Sequence, residues 1–116
     1  MIQQNDPQRL LASLPSGPWR GYWIEEADGC FWMSLELRFS GSKIEGHGFD
    51  PVGRFLIAGQ YNQSDELRML KTYVTHQVRY HGASEGEGIS GEWCIPDLAK
   101  GPFRVWPIGD DTMHKS

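Results

Sequence analysis

Familiar catalytic signatures are missing from this chain. It contains no HExxH and no GxxxxGK[ST] phosphate loop, so the zinc-hydrolase and phosphate-loop mechanisms built on those motifs have no foothold. Gly86-Glu87-Gly88 and Gly46-His47-Gly48 are too short to cradle a phosphate. Cysteine is scarce: Cys30 and Cys94 lie far apart, outside any CxxC or CxxH spacing. That argues against zinc and for ordinary reduced thiols in a cytoplasmic protein. His47, His81 and His114 are scattered, and neither metal nor cofactor is expected. Positive charge is not in surplus either. Eleven Lys and Arg against fifteen Asp and Glu leave a net charge of -4, with the signs interspersed, which gives no footprint for nucleic acid or an anionic membrane. No apolar run approaches the roughly 18 residues of a spanning helix, and no basic leader precedes an apolar core, so the expectation is a soluble, cytoplasmic chain.

Aromatic residues and turn formers are what the sequence has in quantity. Five Trp, five Phe and four Tyr among 116 residues suit pleated surfaces better than helices. Fourteen Gly and seven Pro, without period or low-complexity runs, punctuate short elements. The length fits one domain with a single core.

Three segments follow. In residues 1–17, Asp6-Pro7 followed by Gln8 to Leu14 predicts an N-cap and a short helix carrying Leu10, Leu11 and Leu14 along one side, and Pro15-Ser16-Gly17-Pro18 ends it. Residues 18–108 alternate period-2 patterning with turn signals about every dozen residues, the pattern of an all-β sandwich or barrel. Residues 109–116 read as a tail. Eight strands are predicted, at about Trp19 to Glu26, Cys30 to Phe39, Lys43 to Phe49, Arg54 to Tyr61, Glu66 to Val74, His76 or Gln77 onward, Gly88 to Ile95, and Pro102 to Ile108. The second is the clearest, because Phe31, Met33, Leu35, Leu37 and Phe39 fall on one face. Asp50-Pro51-Val52-Gly53 fits a type I turn. Between the fifth and sixth strands no Gly or Pro helps. A two-residue turn at Val74-Thr75 sets Tyr73 opposite His76 and keeps Val78 and Tyr80 inside; a bulge in one long strand would do the same. Short connections make sequence neighbours pair as antiparallel hairpins, and closure removes the exposed edges, so an up-and-down barrel is expected, with a two-sheet sandwich as the rival.

Gly17-Pro18-Trp19 at the entry to the first strand, a preceding short helix, eight meandering strands and Arg104 on the last strand resemble the calycin superfamily of lipocalins, fatty-acid-binding proteins and avidins. The resemblance implies that Arg104 packs across Trp19 and that the barrel holds a small ligand; it carries over no ligand-contacting residue.

With these phases, Lys71, Tyr73, His76 and Tyr80 point inward among apolar side chains. An inward Lys must pair with an acid, reach a barrel mouth or lose its proton, because an unpaired buried ammonium costs several kcal/mol or more. Glu25, in phase with Trp19 and Trp23, and Asp50, in phase with Ile44, are candidate partners. Asp50 is also explained by its turn. The functional reading is an apolar pocket with a few polar groups: Lys71 or His76 meets an anionic or carbonyl group, Tyr73 and Tyr80 donate hydrogen bonds, and Glu25, Trp23 and Trp93 complete the site. The structural reading has Lys71 snorkelling to the rim, His76 fixed by a turn and the tyrosines filling the core. Eight strands leave space for side chains or one small ligand, and Trp23, Phe31, Phe55, Trp93 and Phe103 crowd out a lipid.

Parity also places apolar residues outside: Tyr22, Ile24, Trp32, Trp106 and Ile108 on three neighbouring strands, and Leu56, Ala58 and Leu70 on two others. The N-terminal helix would cover the first patch, or a second copy of the chain would meet it as a homodimer. The leading functional expectation is a non-enzymatic barrel binding a small acidic or carbonyl-containing ligand. A structural or protein-interaction module with a filled core is the alternative, and an isomerase or cyclase using the Lys, His and Tyr set comes third.

Overall fold

The computed structural model describes residues 14–62, 64 and 66–108. The expected helix before Leu14 and the expected tail from residue 109 lie outside the described residues, among which there is no helix. Eight strands run β1 (Gly17–Glu25), β2 (Gly29–Ser40), β3 (Lys43–Asp50), β4 (Gly53–Tyr61), β5 (Glu66–Tyr73), β6 (Gln77–Glu85), β7 (Gly88–Ile95) and β8 (Ala99–Pro107). Each pairs antiparallel with its sequence neighbour, and β1 pairs with β8 from Trp19 opposite Pro107 to Trp23 opposite Phe103. The barrel is closed, which excludes the two-sheet sandwich.

Alternation decides which side chains fill it. On β2, Met33, Leu35 and Leu37 are buried, whereas Trp32, Ser34, Glu36 and Arg38 between them are exposed. The undivided stretch at β5 and β6 resolves as the two-residue turn: Tyr73 N–H donates to His76 carbonyl oxygen at 2.8 Å, and Thr72 faces Gln77. Val78 and Tyr80 are therefore inside, and there is no bulge. Glycine serves the curvature. A Cβ on Gly48 would lie 2.1 Å from the Ser34 carbonyl oxygen and 2.8 Å from the Phe55 ring, so β2, β3 and Phe55 keep their close packing only while that position has no side chain.

One end is plugged. Leu14 is buried there with Trp19, Leu37, Ile44, Tyr61 and Leu67. The Trp19 indole N–H donates to the Pro15 carbonyl at 2.8 Å, the Tyr61 hydroxyl donates to the Gly41 carbonyl, and Phe39 N–H donates to Ser16 Oγ at 3.0 Å. The polar tips of a ring-filled end are thus satisfied by chain entering or turning beside it. Arg104 does not pack across Trp19 as the calycin resemblance implied. It faces outward opposite Tyr22 and Ser90, 3.7 Å from Glu85, because the two positions have opposite parity across the β1–β8 ladder.

The outer aromatic group is real but partly self-covered. Tyr22 and Trp32 (ring centroids 5.3 Å apart), Tyr22 and Trp106 (6.0 Å) and Trp32 and Trp106 (6.1 Å) meet edge to face, and the Arg20 guanidinium lies 4.9 Å over Trp32. Tyr22, Ile24, Trp106 and Ile108 are half-buried, leaving Trp32 as the exposed ring. Of the other cluster Leu56 and Ala58 are exposed and Leu70 is half-buried.

Candidate functional site

At the other end, the connections 26–28, 51–52, 74–76 and 96–98 ring the barrel mouth. Beneath them Lys71 is 1% exposed. It does not snorkel to the rim. Its ammonium makes an ion pair with Asp50 Oδ2 at 2.6 Å, donates to the Tyr80 hydroxyl oxygen at 3.3 Å and points at Met33 Sδ at 3.5 Å. Three acceptors match the three protons of the group. The rings of Trp23 (4.3 Å), Phe55 (4.3 Å), Tyr73 (5.0 Å) and Tyr80 (5.5 Å) surround it, so the quadrupoles of four rings add to the ion pair.

Asp50 has two roles at once. Oδ1 accepts Val52 N–H at 2.8 Å and Gly53 N–H at 3.2 Å, closing the β3–β4 turn, while Oδ2 takes Lys71 and the Tyr73 hydroxyl, the latter at 2.5 Å. Gly53, at φ +148°, gives the turn its exit. The partner of Lys71 is accordingly Asp50 rather than Glu25. Burial pulls the Lys71 pKa down to about 8, against the hydrogen bond and charge of Asp50, which hold it up. Burial pushes both tyrosine hydroxyls well above their ordinary value, and the Asp50 charge adds to that.

Above this pair lies a recess of about 50 Å³ lined by Trp23, Glu25, Val52, Tyr73, His76, Val78, Tyr80, Trp93 and Ile95. Six of the seven residues singled out in the sequence, namely Trp23, Glu25, Tyr73, His76, Tyr80 and Trp93, converge on it. The seventh, Lys71, lies below and does not line it. Its charge is already matched by Asp50, which removes the cationic anchor that an acidic ligand would need. The Trp23 indole N–H donates to Glu25 Oε2 at 3.2 Å, and the Trp93 indole N–H to the Ile24 carbonyl at 3.0 Å. His76 stacks on Tyr73 at 4.8 Å and is exposed. Ligand pockets for drug-sized molecules are roughly 300–1,000 Å³, so this recess suits a group of a few heavy atoms. Larger hollows, of about 540 and 650 Å³, are open grooves outside the barrel along β2 and β3.

Sequence reasoning missed Phe55 and Met33 as neighbours of the ammonium and Val52, Val78 and Ile95 as recess walls. The inward phase of Phe55, Met33, Val78 and Ile95 was visible, but their height along the barrel was not, and Val52 belongs to a turn, where parity gives no side. Among the described residues no group of three or more His, Cys, Asp or Glu is placed to hold a metal ion, and no helix is long and apolar enough to cross a membrane. No protein-family model and no curated protein sequence matches this chain.

Proposed function

We propose that this calycin-like barrel is a small recognition module that binds one compact group at its mouth, with its interior serving as scaffold. The convergence of Trp23, Glu25, Tyr73, His76, Tyr80 and Trp93 on one recess carries this reading. A few polar groups set in aromatic walls form the usual plan of a binding site, and the Lys71–Asp50 pair beneath fixes the two tyrosines in place. Catalysis by Lys71 is the weaker reading, because its ammonium is enclosed by Asp50, Tyr80 and four rings. Both cysteines are unpaired thiols, which supports a reducing, cytoplasmic setting.

Five indole N–H groups make the test direct. Trp23 and Trp93 report on the mouth, Trp32 and Trp106 on the outer face, and Trp19 on the plugged end. Titrating isotope-labelled protein with small neutral, anionic and cationic fragments should shift the Trp23 and Trp93 indole signals and leave Trp19 in place. If those two stay silent throughout, the recess is only a packing defect.

The exposure of Trp32, 47% in spite of its ring neighbours, favours a second reading, self-association through the outer face. Sedimentation of Trp32→Ser beside the parent chain decides it: a dimer that becomes a monomer supports the contact, and a monomeric parent at high concentration removes it.

A further inference from the structure

The four mouth connections, residues 26–28, 51–52, 74–76 and 96–98, contain no Lys and no Arg. They present exposed Glu26, Asp28 and Asp97. Three of them also project aliphatic side chains into solvent: Val52 is 55%, Val74 98% and Leu98 77% exposed. Inside the ring they form, Glu25 is half-buried at the recess edge, held by the Trp23 indole and near enough for its charge to act on the Tyr73 hydroxyl. Among the described residues Glu25 makes no ion pair. Lys71 and Asp50 cancel each other below, so the unmatched charge at the recess is that of Glu25.

From this arrangement we infer that the mouth receives a primary alkylammonium, the lysine side chain of a partner protein segment whose neighbouring residues are apolar. This rests on the recess reading above and supplies its ligand class. The barrel already shows the chemistry once, because Trp23, Tyr73 and Tyr80 flank the ammonium of Lys71 from beneath. Rings next to a carboxylate hold an ammonium by the ring quadrupole and by charge together. The recess, about 50 Å³, has room for the tip of a lysine, while its stem would pass between the connections. Val52, Val74 and Leu98 would then cover apolar residues on either side of that lysine, and the carboxylates of the rim would steer a basic segment toward the mouth.

The test uses the full chain at pH 7 and five probes: n-butylammonium, acetate, neutral n-butanol, the blocked pentapeptide acetyl-Ala-Val-Lys-Leu-Ala-amide, and the same peptide with norleucine in place of lysine. The lysine peptide should shift the Trp23 and Trp93 indole signals and bind about tenfold tighter than n-butylammonium. It should weaken about tenfold on Glu25→Gln, a variant that keeps a carbonyl acceptor for the Trp23 indole and hence the fold. Equal binding of the norleucine peptide would overturn the cationic ligand, and equal binding of n-butylammonium would overturn a protein segment as its source. If acetate or neutral fragments shift Trp23 and Trp93 but neither amine does, the inference falls while the recess reading stands. Silence of both indoles toward every probe removes both.

Discussion

The two ends of the barrel solve the same problem with different chemistry. At the plugged end, Trp19, Phe39 and Tyr61 meet ring to ring, with Trp19 and Phe39 centroids 5.6 Å apart, and their polar tips end on backbone carbonyls. At the mouth, Phe55 and Tyr73 (5.8 Å) and Tyr80 and Phe103 (4.7 Å) pack just as closely, yet a complete ion pair sits among them. A buried pair of this kind is a poor stabiliser compared with apolar residues of similar shape, but removing one member leaves an unmatched charge in low dielectric. The plugged end is therefore built to be stable, whereas the mouth is held in one arrangement by an interaction that fails all at once. That difference suits an end that presents a site.

Breaking the pair gives the largest expected effect. Asp50→Asn leaves Lys71 facing a neutral amide and should cost about 3–5 kcal/mol in urea unfolding. The double variant Asp50→Asn with Lys71→Met should recover much of that loss, and additive losses would show that the two groups act independently.

The pH dependence is the next largest. Lys71 has its pKa lowered to about 8, so between about pH 8 and 10.4 the unfolded chain binds more protons at this residue and stability should rise with pH. The rise, measured as parent minus Lys71→Met, should be on the order of 3 kcal/mol at most. Above pH 10 the sign reverses. Tyr73 and Tyr80 are raised in the fold, so unfolded tyrosines lose protons first and stability falls. A difference curve that is flat between pH 8 and 10 would mean that Lys71 titrates normally.

A hydroxyl deletion at each end sharpens the contrast. Tyr73→Phe removes a hydrogen bond to a carboxylate and should cost about 1.5–3 kcal/mol, whereas Tyr61→Phe removes one to a backbone carbonyl and should cost about 0.5–1.5 kcal/mol. If Tyr61→Phe proves the more damaging, the two ends have been ranked wrongly. The smallest effect belongs outside the barrel: Arg38 pairs with Glu45 while both are largely exposed, and Arg38→Ala should change stability by roughly 0–1 kcal/mol, less as salt is added.

Much of the architecture could be read in the chain because strands state their own phase. Phe55, Ile57 and Tyr61 alternate with Arg54, Leu56 and Gln60, and Val78 and Tyr80 could stay inside only if the chain turned at Val74-Thr75. Parity likewise flagged Lys71 as an inward charge in need of a partner. It did not choose that partner. Asp50 is on β3 and Lys71 on β5, and Gly48, Phe55 and Tyr73 form one row across β3, β4 and β5. Asp50 stands two residues nearer the mouth than that row and Lys71 two residues deeper, and the long Lys71 side chain spans the difference to reach Asp50 Oδ2. Glu25 had the same parity as Asp50 and instead took the Trp23 indole. Arg104 failed for a related reason, since likeness to a motif carries no information about which face of β8 a residue occupies.

Period-2 alternation and turn chemistry are local, so the residues alone specified an all-β meander, its inside and its outside, and the set of polar groups that had to be reconciled with the interior. Closure of β8 on β1, the depth of each inward residue along the barrel axis and the cancellation of Lys71 by Asp50 depend on strand registers summed around the ring. Those registers are set by pairing between distant segments, and they place six polar and aromatic side chains around one recess while sealing the seventh beneath it.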